Sequence, residues 1–204
     1  MAKSSKNRKK PASPPNAKEA PRSAFPTRYA IYAVAVLAAA GAIYGIVNGQ
    51  QDASDFEALA ANGQGGLKRV QSFPNEGRTH MPAGSQINYG TNPPTSGPHY
   101  IHWVDPGFYE TPKGRSNLVH SLEHGMVVIF YDQPDEAVVD RLKEWTGLFN
   151  GPWSGIVSVR KTGLGEKLIL TAWRRMLRLD RLEPAVAAAF IDAYRGRGPE
   201  NPVR

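Results

Sequence analysis

Residues Tyr29 to Val47 are nineteen consecutive uncharged, mostly apolar residues, and no other segment restricts the chain so tightly. As a helix rising 1.5 Å per residue they span about 28 Å, close to the hydrocarbon thickness of a bilayer. Lipid offers no water to backbone N–H and C=O groups, so a lone segment of this kind satisfies them only as a helix. Tyr29, Tyr32 and Tyr44 lie toward its ends, where amphipathic rings sit well at the lipid–water boundary. The lipid bilayer is thus the first partner expected, through residues 29–47.

Charge orients the segment. The whole chain carries 25 Lys and Arg, 18 Asp and Glu, and a net charge of +7. Residues 1–28 hold eight of those basic residues and one acid, Glu19, so the tail accounts for the entire excess and the rest is formally neutral. A neutral remainder lacks the electrostatic footprint of a nucleic-acid binder, and no nucleic-acid partner is expected. Basic residues on the N-terminal flank alone place the tail in the cytoplasm and the following domain outside it, periplasmic or at the cell surface. A cleaved signal peptide is the competing reading. Its basic region would be unusually long and no A-x-A site follows the apolar run, so an uncleaved single-pass anchor at the cell membrane is expected.

Four regions follow. Residues 1–28, rich in Lys, Ser and Pro, are expected to be a disordered cytoplasmic tail, because they bury too little apolar surface to offset their ordering entropy. Residues 29–47 form the transmembrane helix. Residues 48–66 make a juxtamembrane helix and linker, with Asp52 or Ser54 as cap and glycines as its stop. Residues 67–204 are the extracytoplasmic domain. Within it, Leu67–Phe73 is expected as a first strand and Met126–Tyr131, a continuous apolar run, as the best core strand. Asp135–Phe149 reads as an amphipathic helix, Ile156–Arg160 and Lys167–Trp173 as strands, and Leu182–Tyr194 as the closing helix with Pro184 in its first turn. Helices and strands mix without strict alternation, which predicts an α+β fold with a small mixed or antiparallel sheet flanked by helices.

All five histidines, His80, His99, His102, His120 and His124, fall between His80 and Gly125. The run Asn88–His99 between them is dense in Pro and Gly, which stiffen a loop along one path and lower the entropy lost in holding His99 at its exit. His120 and His124 are four apart and share a face of a short helix over Asn117–His124 that Gly125 closes. With Glu123 they form H-x-x-E-H, the inverted zinc-peptidase pattern, and Glu200 stands downstream as a third ligand. That pattern is set aside on two grounds: Gly125 ends the helix at once, and Glu200 lies in R-G-R-G-P-E-N-P, which cannot be helix interior. Clustering is the better argument. With no cysteine in the chain, a metal site must use imidazole, carboxylate, thioether or carbonyl ligands. The expected ligands are His80, His99, His120 and His124, with copper or zinc as the ion. His102 is the weakest of the five, and Met126 belongs to the core strand rather than to a site. Catalytic residues are not identifiable: no serine lies in a G-x-S-x-G elbow and no glycine loop matches a phosphate cradle.

The run N-Y-G-T-N-P-P-T-S-G-P-H-Y at Asn88–Tyr100, V-H-S-L-E-H-G at Val119–Gly125 and L-T-A-W at Leu170–Trp173 resemble a bacterial family of membrane-anchored proteins known only as a domain of unknown function, number three-one-zero-five. The resemblance implies an N-terminal anchor and an extracytoplasmic domain, and it transfers no catalytic residue. Two functions remain open: a membrane-anchored domain that binds a transition metal through its histidines, or a non-enzymatic cell-envelope module in which the stiff loop and histidines are structural or dock a protein partner.

Overall fold

The computed structural model describes residues 27–204, with side chains from Ile31 onward, so most of the tail expected over residues 1–28 lies outside the described residues. The chain divides into two units, one ending at Tyr44 and one running from Gly45 to Arg204. Helix α1 (Thr27–Gly63) carries the apolar stretch, where Ile31, Val34, Leu37, Ile43 and Ile46 are all exposed. It is long and apolar enough to cross a membrane. The helical phrase expected after Gln50 is the end of this same helix, where Phe56 and Ala60 are buried. A 3-10 turn (Gln64–Arg69) then takes the first three residues of the expected first strand, of which only the two-residue β1 (Gln71–Ser72) forms.

The second unit is α+β. A small parallel ribbon, β2 (His80–Met81) and β3 (His99–Tyr100), precedes β4 (Gly107–Tyr109) and helix α2 (Arg115–Glu123). Strand β5 (Val127–Tyr131), helix α3 (Glu136–Leu148), strands β6 (Ile156–Arg160), β7 (Leu168–Ala172) and β8 (Arg175–Leu179), and helix α4 (Pro184–Tyr194) complete it. The main sheet has the order β1-β8-β7-β5-β6-β4. Strands β4, β5 and β6 are parallel through β6, whereas β7, β8 and β1 add antiparallel neighbours beyond β5.

Strand β5 shows why its sequence is apolar without alternation: both faces of the sheet are covered. Val127, Ile129 and Tyr131 face one core with Leu142 and Trp145 of α3, Phe190 and Ile191 of α4, and Phe56 of α1. Val128 and Phe130 face a second core with Leu118 and Leu122 of α2, Val157 and Met176. Burying side chains of this size contributes about 1.5–3 kcal/mol each. Asp135 caps α3, accepting a 2.8 Å bond from the Val138 amide. Strand β8 was not legible in the sequence. β8 returns antiparallel from β7 through Trp173 and Arg174, and Arg174 takes φ +62° where such turns usually carry Gly or Asn.

Candidate metal centre

The site is built where α2, the β2–β3 ribbon and the C-terminal segment meet. His120, Glu123 and His124 lie at i, i+3 and i+4 on α2 and its C-cap, so they share one face while Leu118 and Leu122 enter the core behind. Gly125 then takes φ +94° and turns the chain into β5. This face of α2 is thereby fixed to β5, all five of whose residues are buried.

The parallel ribbon pairs His80 directly with His99, and their ring centroids stand 5.0 Å apart. The expected stiff loop leads into it. Pro93 to Gly97 are buried, and the polar groups of the loop find specific partners. Ser96 Oγ accepts from the Glu76 amide at 3.1 Å, and the Gly97 and His99 amides donate to the Gly77 and Thr79 carbonyls, each at 3.0 Å. Two serines of α2 hold the strand and its exit against the helix. Ser116 Oγ accepts from the Tyr100 amide, and Ser121 Oγ bonds both the amide and the carbonyl of Val104.

Backbone carbonyls set the tautomers. His99 Nδ1 donates to Gly97 O and His120 Nδ1 donates to Tyr100 O, both at 2.8 Å. Each ring then presents Nε2 with its lone pair, the arrangement in which histidine binds a metal while a second hydrogen bond fixes the ring. His99 Nε2 is 2.9 Å from Glu123 Oε2, and His80 Nε2 is 3.5 Å from the same oxygen. The closer contact lacks hydrogen-bond geometry, so His99 Nε2 is buried without a hydrogen-bond partner. One ligand atom from each of His80, His99, His120 and Glu123 fits within 4.8 Å of all the others. Tetrahedral ligands 2.0–2.1 Å from a zinc ion stand about 3.4 Å apart, a spacing these contacts bracket.

A second set lies beside the first. His124 Nε2 is 3.1 Å from Glu200 Oε2, His120 Nε2 is 4.0 Å from it, and the three residues meet the same 4.8 Å limit. Glu200 arrives by backbone docking rather than on a helix. The Gly196 amide donates to Gly125 O at 2.7 Å, Arg78 Nη1 donates to Pro199 O at 3.2 Å, and Gly198 packs directly on the end of α2. A Cβ at Gly198 would overlap the Glu123 carbonyl and the Gly125 amide. His124 is stacked on Trp153, with centroids 4.2 Å apart, and Trp103 lies 4.6 Å away on a tilted plane.

The structure therefore brings together His80, His99, His120 and His124, but divides them: three gather on Glu123, and His124 turns toward Glu200. His102 stays outside, exposed, with its carbonyl accepting from Asn117 Nδ2. Met126 is core. The two carboxylates are the members that histidine clustering missed. The H-x-x-E-H pattern had placed both on the page, and requiring Glu200 to sit on a helix removed it.

Burial and neighbouring imidazoles disfavour charging His120 and His124. Burial lowers the His120 pKa from 6.5 to about 4; the Tyr100 carbonyl opposes the shift, and His99, His124 and His80 add to it. Burial also lowers that of His124, against the Glu200 and Glu123 carboxylates and the Pro152 carbonyl, which lies near the ring although Nδ1 has no partner in hydrogen-bond geometry. Because both folded values lie below the unfolded one, the unfolded chain takes up these protons first as pH falls. The stability they contribute is complete above pH 6.5, declines as pH drops, and for His120 is gone below about 4. The thermal midpoint of the metal-free full chain should fall across that window, and less steeply in His120→Asn; equal slopes would contradict this origin.

No curated protein and no solved structure matches the chain. A family model described as a protein of unknown function (DUF3105) matches residues 80–204, which is more than half of the chain and holds every residue of both ligand sets. The chain belongs to the DUF3105 family.

Proposed function

We propose that this protein binds a single transition-metal ion through His80, His99, His120 and Glu123, and does so on the outer side of the membrane to which α1 anchors it. The supporting observation is the His99–Glu123 contact: a lone-pair nitrogen held 2.9 Å from a carboxylate oxygen in a buried site, without hydrogen-bond geometry. Two electron-rich atoms so placed repel each other unless a proton or a metal cation lies between them, and the geometry is not that of a shared proton. Three imidazoles and one carboxylate suit zinc or copper(II), whereas copper(I) favours sulfur ligands. His124, the fourth histidine expected from the sequence, stands one step away with Glu200 in the second set.

Binding and delivery are favoured over peptide hydrolysis. In the inverted peptidase arrangement Glu123 would be the general base, yet it is 3% exposed and held between His99 and His80. The test is metal analysis of the full chain, purified in detergent without a His tag and reconstituted with zinc or copper(II). About one equivalent per chain is expected. Less than about 0.2 equivalents of either ion would overturn the reading in favour of a structural envelope module, because a preformed site binds tightly. Sidedness is tested separately by protease access to the domain in intact cells, where cleavage from outside is expected.

A further inference from the structure

We infer that His124 and Glu200 form a second, outer position for the same ion, through which it is loaded and released. This inference rests on the metal-binding reading above and adds a route to it.

The argument begins with His120, which belongs to both ligand sets. Its Nδ1 is engaged by the Tyr100 carbonyl, so it has one nitrogen, Nε2, to offer. Bridging two ions would need both nitrogens. The two sets therefore serve one ion in two adjacent positions and not two ions at once. Each position opens to solvent through one side chain, and the two differ in the charge of that side chain. In the inner set His99, His120 and Glu123 are buried, and the exposed member is His80, an imidazole whose side chain is 44% exposed. In the outer set the exposed member is Glu200, 38% exposed, a carboxylate whose charge attracts a hydrated cation.

Ligand number gives the direction of travel. The outer set supplies two imidazoles and one carboxylate; the inner set supplies three imidazoles and one carboxylate. An ion gains a protein ligand by moving inward and keeps His120 throughout, so it need not dissociate fully to be exchanged. His124 is fixed for this task between Trp153 and Trp103.

Glu200→Gln tests the inference, since it keeps the shape of the side chain and removes its charge. Cobalt(II), which has a visible absorption, is the probe, mixed with the full chain in detergent by stopped flow. Release is followed by transfer to an excess of chelator. Glu200→Gln and His124→Ala should each retain about one equivalent of cobalt while loading and release slow by about tenfold or more. Unchanged rates in both variants overturn the inference and leave the metal-binding reading intact. Loss of the equivalent from either variant also overturns it, by making that residue an obligatory ligand of one larger coordination sphere. A wild-type chain that takes up no cobalt, zinc or copper(II) removes the reading on which the inference rests.

Discussion

His99→Ala should abolish tight metal binding by the full chain, weakening it by about 100-fold or more, where loss of a mere hydrogen-bonding neighbour of a ligand costs about 10–100-fold. The size of the effect follows from how completely the protein fixes this ring. His99 is fully buried, its Nδ1 is held by Gly97, its amide by Thr79, and its Nε2 is aimed at Glu123. The exposed His80, 3.5 Å from Glu123 Oε2, is already a member of the same set and so does not replace it. The measurement is isothermal titration of zinc into wild type and variant. Glu123→Gln provides the companion: it preserves side-chain volume and should lose most of the affinity as well, because an amide oxygen carries no net charge to balance the ion. If His99→Ala bound zinc within about threefold of wild type, the inner set would not be the site.

Gly198→Ala should destabilise the domain by roughly 1–3 kcal/mol, the range of a clash inside packed structure, and should separate Glu200 from His124. Here the added methyl meets backbone, which cannot swing aside as a side-chain terminus would. The Glu123 carbonyl, the His124 carbonyl carbon and the Gly125 amide all lie in its path. The Gly196–Gly125 bond and the weaker approach of the Glu200 amide to Glu123 O, 3.4 Å, depend on the same close packing. Gly65→Ala is the control: its added carbon meets nothing within 4 Å, and Gly65 keeps an ordinary negative φ. Thermal denaturation compares the two. Equal midpoints would show that the C-terminal segment does not dock on α2 in this way.

Much of this arrangement was legible in the sequence, and the limits have physical causes. Periodicity and caps located α3, β6 and α4 closely, because each element carries its own local signal: an Asp cap, β-branched residues, a proline in the first turn. The core strand was legible from its unbroken apolar run, which both buried faces explain. β8 was not, because Arg174 adopts a conformation usually left to glycine and its turn therefore carried no mark. The ribbon of two-residue strands was equally silent. So short a pairing has no periodicity, and what joins His80 to His99 is register across nineteen positions of chain rather than local preference. The carboxylates fell short for a third reason. Glu123 was visible in its motif but its direction depends on the ribbon, and Glu200 reaches the site only because two glycines let backbones touch.

The donor atoms of both ligand sets are imidazole nitrogens and carboxylate oxygens, with no sulfur among them. Thiolate and thioether ligands climb an oxidation ladder, from sulfenic acid or sulfoxide upward, and lose metal affinity as they do. Imidazole and carboxylate ligands carry no sulfur to be oxidised in this way. With zinc bound, the centre would keep its affinity under oxidation that strips a cysteine site, and its exchange would answer to protons and competing ions.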